Sequence, residues 1–241
     1  MDSTQPQHTN RQYEEDLRGL RGGLLKMGGL VERQIVEAME ALVSRDSEHA
    51  REVIARDEEV NRMDVENDEQ SIRLLALHQP TASDLRFITT GLKITTDLER
   101  IGDMAVNISE RTLELNEVPQ LKPYVDLPRM SEIAQSMVKD SIDAFMRDDT
   151  ELADQVIARD DEVDQLNFQV YRELLSYMAE DPHTIASATR LLFVSKYLER
   201  IADHATNIAE MVSFMVKGKL IRHMDKKKHD DTDPNRSGSD S

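Results

Sequence analysis

The sequence predicts an all-α protein built as a tandem repeat of two three-helix antiparallel bundles, with six long helices. Three observations carry this reading. Hydrophobic residues make up 39% of the chain and charged residues 32%, with no Trp and only 4% aromatic; sheet proteins draw more on β-branched and aromatic side chains. Apolar positions recur every three or four residues, as in Leu85, Ile88, Leu92, Thr95, Leu98, Ile101, Ala105 and Ile108. Finally, the chain repeats itself. LERIGDMAVNISE at 98–110 returns as LERIADHATNIAE at 198–210, and VIARDEEV at 53–60 returns as VIARDDEV at 156–163.

The first ten residues, MDSTQPQHTN, are polar and lack the apolar stretch of a signal peptide, so they read as a disordered N-terminus. The first repeat spans 11–118, with helices near 11–44, 47–79 and 82–117. Arg45-Asp46-Ser47 forms the first break, a tight turn with an N-cap residue, and Pro80 marks the second. The proline cluster VPQLKPYVDLP ends the unit, and 119–127 reads as a linker. The second repeat spans 128–220, with helices near 128–147, 150–180 and 183–218. Its joints, at Asp148-Asp149 and Pro182, match those of the first half. Residues 221–241 are charged, contain Gly and Ser, and lack periodicity, which predicts a disordered tail.

The net charge of −17 argues against nucleic acid and against an anionic membrane surface. It favours a partner with a basic face, or a cation. Cysteine is absent, which excludes thiolate metal sites and Cys nucleophiles and fits a reducing cytoplasm. No apolar run approaches the roughly 20 residues that span a bilayer.

The repeated thirteen residues pose the functional question. Leu98, Ile101, Ala105 and Ile108, with their copies Leu198, Ile201, Ala205 and Ile208, need only a core to explain them. The polar identities are different in kind. Glu99, Asp103 and Asn107 return as Glu199, Asp203 and Asn207, while neighbours have drifted, Met104 to His204 and Val106 to Thr206. A solvated face tolerates almost any polar residue, so retention of the same acids in both copies points to a bound ligand. Carboxylates four residues apart on one helix repel by a few tenths of a kcal/mol, roughly, and a cation removes that repulsion. Further pairs of this spacing are Asp64/Asp68 and Asp160/Asp164, on the second helix of each half. Carboxylates and an amide carbonyl from adjacent helices form an all-oxygen set for a hard divalent ion, and also tolerate iron. The expectation is an open site on the outer surface of each bundle. Competing chemistries lack their residues. The Glu-x-x-His at Glu180/His183 falls at a proline joint, no His-x-x-x-His exists, and the glycines of RGLRGGLLKMGG at 18–29 have neither the P-loop spacing nor a preceding strand.

With these motifs, and with MGGLVE at 27–32, QPTASDLR at 79–86 and ELLSYMAEDP at 173–182, the chain resembles the PhoU family from about residue 12 to 218. The resemblance implies two similar three-helix bundles, usually assembled as homodimers. It implies a cytoplasmic negative regulator of the phosphate-starvation response, an adaptor linking the Pst ABC phosphate importer, through its ATPase subunit, to a PhoR-type sensor histidine kinase. It also implies multinuclear metal sites on E(D)xxxD motifs, which fall here on Glu99/Asp103 and Glu199/Asp203, and on Asp64/Asp68 and Asp160/Asp164. The metal (Mg, Mn, Fe or Zn) does not follow from the residues. No catalytic residue is expected. The alternatives are a metal-dependent hydrolase of phosphate compounds and a plain helical scaffold.

Overall fold

A computed structural model describes residues 6–217; residues 1–5 and 218–241, including the tail expected to be disordered, lie outside the described residues. Six helices follow one another: α1 (Pro6–Ser44), α2 (Ser47–His78), α3 (Ala82–Asn116), α4 (Asp126–Arg147), α5 (Thr150–Glu180) and α6 (Ile185–Lys217), with a 3-10 turn at Pro182–Thr184 before α6. Among the described residues there is no strand.

Two helices begin earlier than expected, each at a proline. The helix placed near 11 begins at Pro6, inside the segment read as disordered. The helix placed at 128 begins at Asp126, with Pro128 in its first turn. Proline interrupts a helix interior but fits the first turn, where its missing N–H has no partner to lose.

The repeat is written into the turns as well as the helices. Arg45 and Asp148 occupy equivalent positions and both take a positive φ, 59° and 54°. Asp46 and Asp149 follow them as N-caps. Each carboxylate accepts from two backbone N–H groups at 2.9–3.0 Å, those of Glu48 and His49 in one copy and of Glu151 and Leu152 in the other. The α1–α2 pair Glu37/Arg56 recurs as the α4–α5 pair Asp140/Arg159.

The two bundles share one core. α1 packs on α4 and α3 packs on α6, leaving α2 and α5 on the outer flanks. Phe87 of α3 stacks on Phe145 of α4 with ring centroids 4.7 Å apart. His204 Nδ1 lies 2.7 Å from Asp97 Oδ1, and Arg190 donates to Glu114 at 2.7 Å. Buried Thr95, Ser109 and Thr112 satisfy their hydroxyls by donating, at 3.0 Å, to the carbonyl one turn back.

The glycine-dense stretch serves close contact between helices. A Cβ on Gly23 would lie 2.1 Å from Oδ1 of the buried Asn67 on α2, and one on Gly19 would lie 2.4 Å from Nε2 of Gln70. α1 exceeds α4 in length, 39 residues against 22. Its extra turns reach the α2–α3 joint, where Tyr13 donates to Asp84 at 2.8 Å and His78 lies 3.2 Å from Asp16. In the second half the linker takes that place. Leu121 and Tyr124 pack against the core, and nearly buried Lys122 pairs with Glu173.

Candidate metal centre

Each bundle carries a cluster of four carboxylates, two from its second helix and two from its third. In the first bundle Asp57 and Asp64 of α2 face Glu99 and Asp103 of α3; Glu99 feels the charges of the other three. In the second, Asp160 and Asp164 of α5 face Glu199 and Asp203 of α6. The antiparallel α2–α3 and α5–α6 hairpins bring these residues together, because positions that approach the joint from opposite sides share one level of the bundle.

The first cluster is less open than the sequence suggested, its four acids all partly buried, whereas in the second Asp164 and Asp203 stay exposed. The Glu99 side chain is 24% exposed, Asp103 33% and Glu199 13%. Neighbouring helices shade part of the expected solvent face. α3 touches α1, α2 and α6, and α6 touches α3, α4 and α5. A helix contacted on three sides keeps only a narrow exposed strip, so residues flanking the core stripe are drawn partly out of water.

Electrostatics records this crowding. Burial, followed by the charges of Asp103, Asp64 and Asp57, raises the Glu99 carboxyl above its ordinary range, with Arg100 opposing. Burial raises Asp57 also, and Asp103 adds to it, against a hydrogen bond from Asn61. Asp64 is raised by burial and then by Asp68, and Asp68 by burial. In the second cluster Asp160 is pushed up to about 6, first by burial and then by Asp203 and Asp164. Asp203 keeps an exposed outer side, yet partial desolvation of its carboxyl, with Glu199 beside it, raises it as well. Stacked like charges with little water are what a cation relieves.

Two protein cations lean on the clusters, and they differ. Arg100 lies 3.5 Å from Glu99 and 3.2 Å from Asp103. In the second bundle Lys196, one turn earlier, pairs with Glu199. Two oxygens of the first bundle's acids stay without a hydrogen bond. Asn61 donates to Asp57 Oδ2 at 2.9 Å, but Asp57 Oδ1 and Asp68 Oδ1 are buried without a hydrogen-bond partner. Buried acceptors of this kind suit a hard cation, which fits the donor set. As the side chains stand, no three carboxylate or imidazole groups among the described residues are spaced to ligate one ion together.

Both halves match known proteins. The model of the PhoU domain matches twice, over residues 24–112 and 127–212. The chain belongs to the PhoU family. It is 42% identical over 216 residues to a phosphate-specific transport system accessory protein PhoU homolog of Caulobacter vibrioides, covering 89% of this chain and 94% of that one. A homolog of the same description from Aquifex aeolicus is 44% identical over 209 residues, covering 87% of this chain and 95% of its own. The fold matches the crystal structure of PhoU from Pseudomonas aeruginosa with a TM-score of 0.83 at 41% identity, over 86% of this chain and all of that one. It also matches the phosphate transport system regulatory protein PhoU from Streptococcus pneumoniae, with a TM-score of 0.80 at 29% identity, over 87% of this chain and 99% of that one.

Within this PhoU fold the expected site residues separate into groups. Glu99, Asp103 and Asp64 meet in one cluster, and Glu199, Asp203, Asp160 and Asp164 in the other. Asp68 stands one turn beyond Asp64 and couples to it alone among the acids. Asn107 and Asn207 lie one turn past the aspartates, and among the described residues no hydrogen bond ties either to a carboxylate; Asn207 is exposed. Asp57 completes the first cluster and was missed, because it lacks an acidic partner four residues on. The repeat held the signal: Asp57 in VIARDEEV is the counterpart of Asp160 in VIARDDEV.

Proposed function

We propose that this chain is an accessory protein of phosphate-specific transport, a regulator rather than an enzyme. It would act in the cytoplasm as a homodimeric adaptor between the importer's ATPase subunit and a PhoR-type sensor histidine kinase, as a negative regulator of the phosphate-starvation response. The supporting observation is the 42% identity, over nearly the full length of both chains, to a relative described as a transport accessory protein. An adaptor works by binding one conformation of its partner better than another, which shifts that partner's population without chemistry of its own.

Divalent ions at the two acidic clusters belong to the same proposal. Asp57, Asp64, Glu99 and Asp103 would hold one site and Asp160, Asp164, Glu199 and Asp203 the other. A bound ion would supply positive charge and fix α2 to α3 and α5 to α6. Side-chain rotations would close the carboxylates around it, at the expense of the contacts that Arg100, Lys196 and Asn61 now make, and the ion would remove the mutual repulsion. The arginine beside the first cluster is engaged by Glu99 and Asp103, an arrangement that favours charge balance over a substrate clamp.

The test is retention of two partners from the same organism, the kinase's cytoplasmic portion and the importer's ATPase subunit, on immobilised chain with and without Mn²⁺. Specific retention of both is expected. Retention of neither, or turnover of p-nitrophenyl phosphate by the Mn²⁺-loaded chain, would overturn the adaptor reading.

A further inference from the structure

Beneath the first acidic cluster lies a niche built on Gln34 and Gly102, positions that differ in the second bundle. Gln34 of α1 is fully buried, and neither its Oε1 nor its Nε2 has a hydrogen-bond partner. Asp57 Oδ1 is also buried and unpartnered. Both groups face the bare backbone of Gly102. A Cβ there would lie 3.4 Å from Gln34 Oε1, 3.7 Å from Asp57 Oδ1 and 3.3 Å from Val60 Cγ1. One helical residue from Gly102, on the same α3, stands Asp103 of the cluster. At the equivalent positions of the second bundle are Met137, buried in the core, and Ala202, whose methyl occupies the place Gly102 leaves bare.

Buried polar atoms left unpaired destabilise a fold, and here an amide and a carboxylate oxygen lie near the same bare backbone. Two acceptor oxygens facing the same gap favour a guest that donates or carries positive charge. The surrounding carboxylates make a cation the better guest, and a neutral amide carbonyl among carboxylates is a familiar oxygen set for a hard divalent ion. We infer that Gln34 is an inner, neutral ligand of a divalent cation in the first bundle, its Oε1 closing the site from the core side, and that Gly102 is bare so that the ion can sit that deep. This rests on the reading of the acidic clusters as metal sites, and it concerns a residue outside their acidic motif. The second cluster, with Met137 and Ala202, binds its ion from the groove side alone.

Gln34→Met copies the second bundle and keeps side-chain volume; Gln34→Glu keeps the oxygen and adds charge. Mn²⁺ binding to the full chain, followed by calorimetry and by the electron paramagnetic resonance of free Mn²⁺, should show two classes of site in the wild type. Gln34→Met should weaken one class about 10- to 100-fold, the range seen when groups supporting a metal are removed, and leave the other unchanged. Gln34→Glu should keep both. In EDTA the melting temperature of Gln34→Met should equal or exceed that of the wild type, because an unpaired amide has been removed. Unchanged Mn²⁺ affinities in Gln34→Met, or a melting temperature in EDTA several degrees below wild type, would overturn the role of Gln34 while leaving the clusters as metal sites. A wild type that takes up no Mn²⁺ would instead overturn the cluster reading on which this one stands.

Discussion

Glu32 and Gln135 are the same position of the repeat, 103 residues apart, and they touch: the Gln135 amide donates to the Glu32 carboxylate at 3.3 Å. Contact between a residue and its own copy places the pseudo-twofold axis of the molecule between α1 and α4 at this pair. Burial raises the Glu32 carboxyl above its ordinary range, with Asp143 and Asp140 adding to the effect and Gln135 and Lys139 opposing it. A carboxyl raised in the fold takes up protons on folding, so its ionised form weighs against the fold at neutral pH. Glu32→Gln should therefore stabilise the protein at pH 7.5 by about 0.5 kcal/mol, since the group is only half-buried. Chemical denaturation across pH should show the gain fading as pH falls to the range where Glu32 is protonated in both states.

The glycines of α1 divide into two kinds. Gly23→Ala would drive its Cβ into the buried Asn67 and should cost about 1–3 kcal/mol. A Cβ on Gly22 meets nothing within 4 Å. Gly22→Ala should stabilise by about 0.5–1 kcal/mol through helix propensity. Urea midpoints of the two variants should move in opposite directions.

Removing acids from the first cluster separates charge from metal. Glu99→Ala with Asp103→Ala should leave far-ultraviolet circular dichroism unchanged, because Ala is a better helix former. Saturating Mn²⁺ stabilises whatever folded state binds it, by about 2.7 kcal/mol at a hundredfold excess over Kd. The wild type should gain several degrees in Tm and the double variant distinctly less. An equal rise in both proteins would reduce these acids to a charged groove.

Asp160, pushed up to about 6 from an ordinary value of 3.8, gives the sharpest pH dependence. Its folded-state value is raised, so the destabilisation grows as pH climbs from about 4 to about 6 and is complete above that window. In EDTA at pH 7.5, Asp160→Asn should raise stability by about 1 kcal/mol, below the full linkage value because the carboxyl keeps some contact with water. Near pH 3.5 the two proteins should melt together.

Most of the fold was legible because its punctuation is chemical. Asp46 and Asp149 announce helix starts, the prolines announce joints, and the offset of 103 residues ties one half to the other. The helix ends at Pro6 and Asp126 were not, since proline reads as a breaker until its place in the first turn is known. The acids on α3 and α6 stood out as a candidate site through their retention in both copies. Their depth was not: one helix's periodicity identifies the face turned to its own bundle but not the side that a neighbouring bundle shades. Asp57 escaped because its acidic partner Asp103 lies across a groove, not along a helix. Gln34 gave no sign at all, because its counterpart is Met137 and a lone amide in an apolar stripe has no spacing to betray it.

The unequal first helices bear on how the molecule is made. The 39-residue α1 already reaches the α2–α3 joint, so the contacts among α1, α2 and α3 form within residues that leave the ribosome before α4 exists. The 22-residue α4 covers less, and its bundle is finished by Leu121, Lys122 and Tyr124 and by α6 settling on α3 through Arg190 and His204. Synthesis thus delivers a three-helix template first and the half that settles on it second. Reversing that order by circular permutation would present that half with no surface to settle on.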